Sequence, residues 1–179
     1  MLGVGQYGKV VKAQLESEAR QKVKKIYACK IIEIVNISQE DMECIEKEVR
    51  LHNMVQNEFS IRLFNTIKTN SNIYMMQEFC NGFDLAVLLK IRKTITQQEV
   101  SLILNQVVSG LCEIWQLNMI HRDMKLANIL LHFPNNPELN SMTRNDKRKF
   151  LATVDLTRVK FYAKISDFGL STILESSSS

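Results

Sequence analysis

Three side chains with carboxylate or amide oxygens and two lysines set the chemistry open to this sequence. The stretch Ile120-His121-Arg122-Asp123-Met124-Lys125-Leu126-Ala127-Asn128-Ile129 puts four potentially charged groups just ahead of an apolar run, and Asp167-Phe168-Gly169 closes a second such run. Phosphoryl transfer from a nucleotide needs a carboxylate near the incoming hydroxyl, oxygen ligands for magnesium and a cation near the transferred group. Asp123 can serve as the first, Asn128 and Asp167 offer hard oxygens, and Lys125 supplies the charge. The short step from Asp123 to Asn128 is enough to turn the chain and aim both at one metal–phosphate cluster. A solvated connector would explain the charges but not their order.

Gly3-Val-Gly5-Gln-Tyr-Gly8-Lys-Val10 suits two phosphate-binding designs, and a bland tight turn besides. In a dinucleotide fold such glycines end a strand and open a helix whose N-terminus faces the pyrophosphate. In the other design they form a strand–turn–strand that closes over a triphosphate. The β-branched pair Val10-Val11 favours the second, because it suits a strand better than a first helical turn. Lys30 sits in the apolar run Ala28-Cys29-Lys30-Ile31-Ile32. It either points to solvent from an edge strand or turns inward, where an unpaired ammonium is costly and requires an anion. Glu48 projects close to the Ile45/His52 stripe of the following helix, so it is either that anion or one member of a surface pair.

The elements that must hold these groups follow from pattern. Residues 26–35 read as a buried strand. Ser38 with acids behind it starts a helix whose inward stripe is Met42, Ile45, Val49 and His52. Strands are expected near 61–68 and 73–79, joined by the polar turn 69–72. Residues 97–117 carry Val100, Ile103, Leu104, Val107, Val108, Leu111, Ile114 and Trp115, an arc wide enough for a helix buried on more than one side. Residues 133–160 turn to Asn, Pro, Lys, Arg and Thr and read as a solvated loop, and the serine-rich tail from Glu175 as disordered. Hydrophobic residues at 45% and charged residues at 23% exclude disordered and fibrous classes for the chain as a whole. A net charge of +4 with interspersed signs gives no argument for nucleic acid as a partner. Cys29, Cys44, Cys80 and Cys112 are scattered, which speaks against a disulfide framework or zinc site and for a reducing, cytoplasmic compartment, the nucleus remaining open. No apolar run is long enough to span a membrane.

In this order, Gly-Val-Gly-Gln-Tyr-Gly-Lys-Val, Tyr-Ala-Cys-Lys, His-Arg-Asp-Met-Lys-Leu-Ala-Asn and Asp-Phe-Gly make the sequence resemble the eukaryotic protein kinase family, throughout except at 133–160. Lysine two positions after Asp123 is similar to the serine/threonine class. The resemblance implies an α+β, protein-kinase-like fold: an antiparallel β-sheet N-lobe with one long helix (residues 1–79), then a hinge and a partial, mainly helical C-lobe (80–179). The stretch at about 133–160 would be an exposed insertion loop. The implied activity is transfer of the ATP γ-phosphate to a protein hydroxyl, with ATP and Mg²⁺ as cofactors and a protein substrate. Asp123 would accept the hydroxyl proton, Lys125 would neutralise the γ-phosphate, Lys30 would hold the α/β-phosphates and Glu48 would orient Lys30. Asn128 and Asp167 would bind magnesium.

Around the nucleotide the resemblance places Leu2, Gly3, Gly5 and Gly8, with Val10, Ala28 and Leu130 enclosing the purine. Glu78 and Cys80 would bond adenine through their backbones beyond a Gln77 gatekeeper, and Asp84 would reach the ribose. His52, Leu63, His121 and Phe168 would form an apolar column, so His121 is read as structural. Cys29, Cys80, Met75, Met76, Met119 and Met124 are read as ordinary packing. The family's Ala-Pro-Glu motif and later helices do not follow Gly169, so the chain is read as a truncated domain. A nucleotide-binding or interaction module without transfer activity is the alternative from another class. A small-molecule phosphotransferase is a weaker alternative, opposed by Arg122 with Lys125.

Overall fold

The nearly continuous apolar run along residues 27–33 builds the central strand of a five-stranded antiparallel sheet. The strands are β1 (Gly3–Gly5), β2 (Gly8–Ala13), β3 (Tyr27–Glu33), β4 (Leu63–Lys68) and β5 (Asn72–Glu78), in the order β1-β2-β3-β5-β4. This computed structural model describes residues 2–5, 8–14 and 25–174. Gln6 and Tyr7 of the glycine segment and the serine tail lie outside the described residues. The backbone divides into two units, one of residues 1–54 with 61–79 and one of 55–60 with 80–179.

In the first unit, register decides which side chains share a face. Val10 lies opposite Lys30, Lys30 opposite Met75 and Ala28 opposite Gln77, so these five project to one side. Helix α1 (Gln39–Met54) covers that side: its Ile45 joins Ile32, Leu63, Ile73 and Met75 in one buried cluster. The helix starts where expected, with Ser38 Oγ accepting from Asp41 N at 3.1 Å. On the opposite face Tyr27, Cys29 and Met76 form their own cluster. Gly8 is required by close approach, since a Cβ there would lie 1.9 Å from the carbonyl oxygen of Ile31.

In the second unit, α2 (Leu85–Arg92), which the sequence reading did not pick out, precedes α3 (Gln97–Gln116). Asp84 caps α2, and Thr96 with Glu99 forms a reciprocal capping box on α3. Strand β6 (Met119–Ile120) pairs with β9 (Thr172–Ile173), and β7 (Ile129–His132) with β8 (Tyr162–Ile165). Helix α3 is buried along one side only, through Ile103, Val107 and Ile114, whereas Leu104, Val108 and Trp115 are 54–61% exposed. The expectation of burial on more than one side is therefore corrected: among the described residues nothing packs over the second apolar arc.

The larger correction concerns 133–160. It is a folded segment, with a 3-10 turn at Pro137–Asn140 and helix α4 (Arg144–Thr153). Phe133, Leu139, Leu151 and Leu156 are essentially fully buried in the same core as Leu85, Leu88 and Leu131. Its polar composition hid a few well-spaced apolar anchors, each contributing about 1.5–3 kcal/mol when buried. Polar fixings add to them. Arg92 Nε donates to Leu151 O at 2.7 Å, Nη1 to Glu99 Oε1 at 2.6 Å and Nη2 to Val154 O. Glu99 Oε1 also accepts from Leu156 N at 3.1 Å.

Candidate active site

The first unit holds Lys30, Glu48 and the glycine hairpin. Lys30 lies on the central strand, not an edge, and its Nζ meets Glu48 Oε1 at 2.5 Å. The two side chains are 12% and 3% exposed. Ile45, Glu48 and His52 recur at three and four along α1, which turns the carboxylate inward with the apolar stripe. Lys30 thus points inward and has its anion, while an ammonium carries three donors and so retains capacity for phosphate. Val10 and Ala28 lie on the same face.

The glycines sit on a hairpin, Gly3 opposite Val10 and Gly5 opposite Gly8, with Leu2 N donating to Val10 O at 2.8 Å. Gly8 opens a strand, so the dinucleotide design is excluded. At the end of β5, Glu78 N donates to Arg62 O at 2.8 Å and its carboxylate accepts from Arg62 N at 3.3 Å. His52 donates to Ile61 O at 2.7 Å, and Leu63 belongs to the α1-side cluster.

The second unit gathers the remaining polar candidates. Antiparallel β7 and β8, with Ile129 opposite Ile165, bring Asn128 and Ser166 together despite the long chain between them. Asn128 Nδ2 donates to the backbone oxygen of Asp123 and to its Oδ2, each at 2.8 Å. Lys125 Nζ donates to the same Oδ2 at 2.7 Å. The Lys125 hydrogen bond foremost, with that of Asn128, holds the Asp123 carboxyl below its ordinary range, and the bond to Asp123 raises Lys125. Asp123 is therefore an ionised acceptor at neutral pH.

His121 is buried, which depresses its pKa. Its Nδ1 accepts from Asp123 N at 3.3 Å and its Nε2 donates to Ser166 O at 3.0 Å, which defines a neutral tautomer. Its ring packs 5.2 Å from that of Phe168. The histidine is a structural strut. Asp167 is exposed, with Oδ1 accepting from Gly169 N at 3.4 Å. Both Asp167 (φ 67°) and Arg122 (φ 63°) adopt the left-handed backbone region, and Arg122 Nε donates to Leu170 O at 2.6 Å.

Residues 1–179, the whole chain, match the protein-family model described as "Protein kinase domain". The chain belongs to the protein kinase family. Among curated kinases it is similar to serine/threonine-protein kinase PLK2 of Mus musculus, 34% identical over 109 residues, which cover 60% of this chain and 16% of that protein. Serine/threonine-protein kinase pakG of Dictyostelium discoideum is 31% identical over 133 residues, 74% of this chain and 10% of its own length. A probable cell cycle serine/threonine-protein kinase, the CDC5 homolog of Encephalitozoon cuniculi, is 25% identical over 177 residues, 98% of this chain and 31% of its own length. The chain spans well under two thirds of each of these relatives.

Within this kinase domain, Lys30 and Glu48 come together in one unit, and Asp123, Lys125 and Asn128 in the other, beside the strand end that leads to Asp167. Asp84 spends Oδ1 on the α2 cap, accepting from Val87 N at 2.8 Å, and Leu130 forms a bridge with Asp84. Cys29 and Cys80 are buried, and burial pushes the Cys29 thiol up. Met75, Met76 and Met119 are buried as expected, but Met124 is 38% exposed. Sequence reasoning missed Ser166, whose N–H and hydroxyl both donate to Asn128 O, at 2.8 and 3.0 Å, and whose carbonyl holds His121. A serine beside Asp167 carries no pattern that would reveal this.

The donor set suits magnesium arriving with phosphate. Fixing Asn128 Nδ2 as donor leaves its amide oxygen as the atom that could ligate, a hard donor like the Asp167 carboxylate. Among the described residues no group of three or more His, Cys, Asp or Glu could hold a metal by itself. Phosphate and water oxygens would have to complete the shell of any magnesium held here. No helix among the described residues is long and apolar enough to cross a membrane.

Proposed function

We propose that this chain carries the machinery of a serine/threonine protein kinase that moves the γ-phosphate of ATP to a protein hydroxyl. The observation that carries this reading is the convergence of Lys125 and Asn128 on one oxygen of Asp123. That arrangement keeps the carboxylate ionised and fixed while its other oxygen can accept the proton of an incoming serine or threonine hydroxyl. The hydroxyl oxygen then bonds to the γ-phosphorus as the bond to the β–γ bridging oxygen breaks, and ADP departs. Lys125 offsets charge at the transferred group. Lys30, oriented by Glu48, grips the α/β-phosphates, and the glycine hairpin from Leu2 to Val10, with Ala28, covers the nucleotide. The backbones of Glu78 and Cys80 take adenine, Leu130 supports the base and Asp84 approaches the ribose. Magnesium, held by Asn128 and Asp167, would supply charge neutralisation at the phosphate oxygens.

Transfer of labelled γ-phosphate to protein substrates should fall at least about 100-fold in Asp167→Ala; unchanged transfer defeats the reading. ATP with Mg²⁺ should also raise the melting temperature, because a ligand at 100 times its Kd stabilises by about 2.7 kcal/mol. Such a shift without any transfer would favour a nucleotide-binding module. Transfer to free hydroxylated metabolites rather than protein would favour a small-molecule phosphotransferase.

A further inference from the structure

The folded segment 133–160 is joined to the residues proposed to hold adenine by a continuous set of contacts. Residues 82–84 lie along β7 as an extra strand: Gly82 N donates to Leu131 O at 2.9 Å, Leu131 N to Phe83 O at 2.9 Å, and Asp84 bridges Leu130. No side chain fits at Gly82, where a Cβ would lie 2.6 Å from Leu131 O. Asn81, only 2% exposed, continues this pairing past the end of β7 with its side chain. Its Oδ1 accepts from Phe133 N at 2.8 Å, and its Nδ2 donates to Phe133 O at 2.9 Å and Asn136 O at 3.2 Å. An amide thereby imitates a backbone partner where the strand has run out.

Phe133 is fully buried, and its ring meets Phe150 of α4 edge-on at 5.2 Å. The far end of α4 is tied to α2 by Arg92 through Leu151 O and Val154 O. The segment is thus anchored at both ends, and one anchor is the immediate neighbour of Cys80.

The geometry points to a positioning role: α4, acting through Phe150, Phe133 and Asn81, sets the register of Cys80 and Leu130 and hence the affinity for the adenine nucleotide. This rests on the kinase reading above. Loosening the linkage lowers the fraction of molecules whose adenine-binding backbone is in place, and apparent affinity falls by that fraction. The phosphoryl-transfer groups at Asp123 and Asn128 are held by separate bonds, so turnover at saturating nucleotide is preserved.

Titration of the chain with a fluorescent N-methylanthraniloyl ATP and MgCl₂, with urea midpoints taken in parallel to verify folding, tests this. Asn81→Ala and Phe150→Ala should each weaken nucleotide binding roughly tenfold and raise KM for ATP alike, with kcat within about twofold. Phe150→Leu replaces the alanine variant if that one does not fold. The double variant should bind no worse than about twofold below the weaker single, because both act through one linkage. Lys149→Ala, on the exposed side of α4, should bind as wild type. Unchanged affinity in either single variant, or a double variant weakened by the product of the two, overturns the inference and leaves the kinase reading standing. Failure of the wild-type chain to bind the probe overturns both.

Discussion

Each unit of the molecule buries a cation against a carboxylate, and the two pairs are built on different principles. Lys30 and Glu48 meet through a single short contact on a sheet face, and the ammonium retains donors for another anion. Arg92 and Glu99 are saturated: the guanidinium also holds Leu151 O and Val154 O, and the carboxylate also takes Leu156 N and the Thr96 cap. A buried charge pair that satisfies backbone groups is a fastening, because removing it orphans several partners at once. A pair with bonding capacity left over is open to a further partner, the role the kinase reading proposes for Lys30. Buried ion pairs are commonly neutral to stability when both members are replaced by apolar or neutral groups of similar size. The contrast therefore predicts opposite outcomes for equivalent double substitutions.

The largest effect should come from Arg92→Met with Glu99→Gln. Two part-buried carbonyls lose their donor, and unfolding free energy should drop by about 3–5 kcal/mol, read as a lower urea midpoint. Next is the pH dependence of the same pair. Burial alone would raise Glu99, but bonds from Arg92, Leu156 N and Thr96 outweigh it and lower it from 4.5 to about 2. A carboxyl whose pKa is lower folded than unfolded contributes its stability above the ordinary value and loses it as pH falls. Wild type should thus lose about 3 kcal/mol from this group between pH 5 and 2. Urea midpoints for the double variant across that window should fall less steeply, and equal slopes would remove Glu99 from the account.

Lys30→Met with Glu48→Gln should do the reverse. Phosphate transfer should fall about 100-fold, equivalent to about 2.7 kcal/mol of barrier, while unfolding free energy stays within about 1 kcal/mol of wild type. A large stability loss there would make the pair a fastening like the other. The smallest effect belongs to Ser38→Ala, which removes the α1 cap for about 1 kcal/mol by thermal unfolding. Transfer should be unchanged, since Glu48 sits turns away from the frayed end.

The sequence displayed the Lys30–Glu48 pair and concealed the fastening. Lys30 stands out because a lysine inside Ala-Cys-Lys-Ile-Ile violates the apolar run, and Glu48 because it falls on the Ile45/His52 stripe. The strands near 27–33, 63–68 and 72–78, with α1 and α3, follow from periodicity for the same local reason. Arg92 and Glu99 look like ordinary helix-end charges, and their partners at 151, 154 and 156 are remote in sequence. Segment 133–160 reads as solvated in the sequence because Leu139, Leu151 and Leu156 are too sparse to give a period, although they are nearly fully buried. Helix α3 misled in the opposite sense: its apolar arc predicts burial that the described residues do not supply at Leu104 or Trp115. Asp123, Asn128 and Asp167 were legible as a motif, but the hydroxyl of Ser166 that steadies Asn128 depends on strand register alone.

The left-handed torsions at Arg122 and Asp167 carry a consequence for how these positions tolerate change. An L-residue with a β-carbon gives up about 1–2 kcal/mol in that conformation, a burden glycine does not bear. Populations screened only for thermal robustness should drift toward glycine at position 167, whereas, on the kinase reading, populations screened for turnover should hold aspartate. At that site endurance and chemistry pull the genotype in opposite directions.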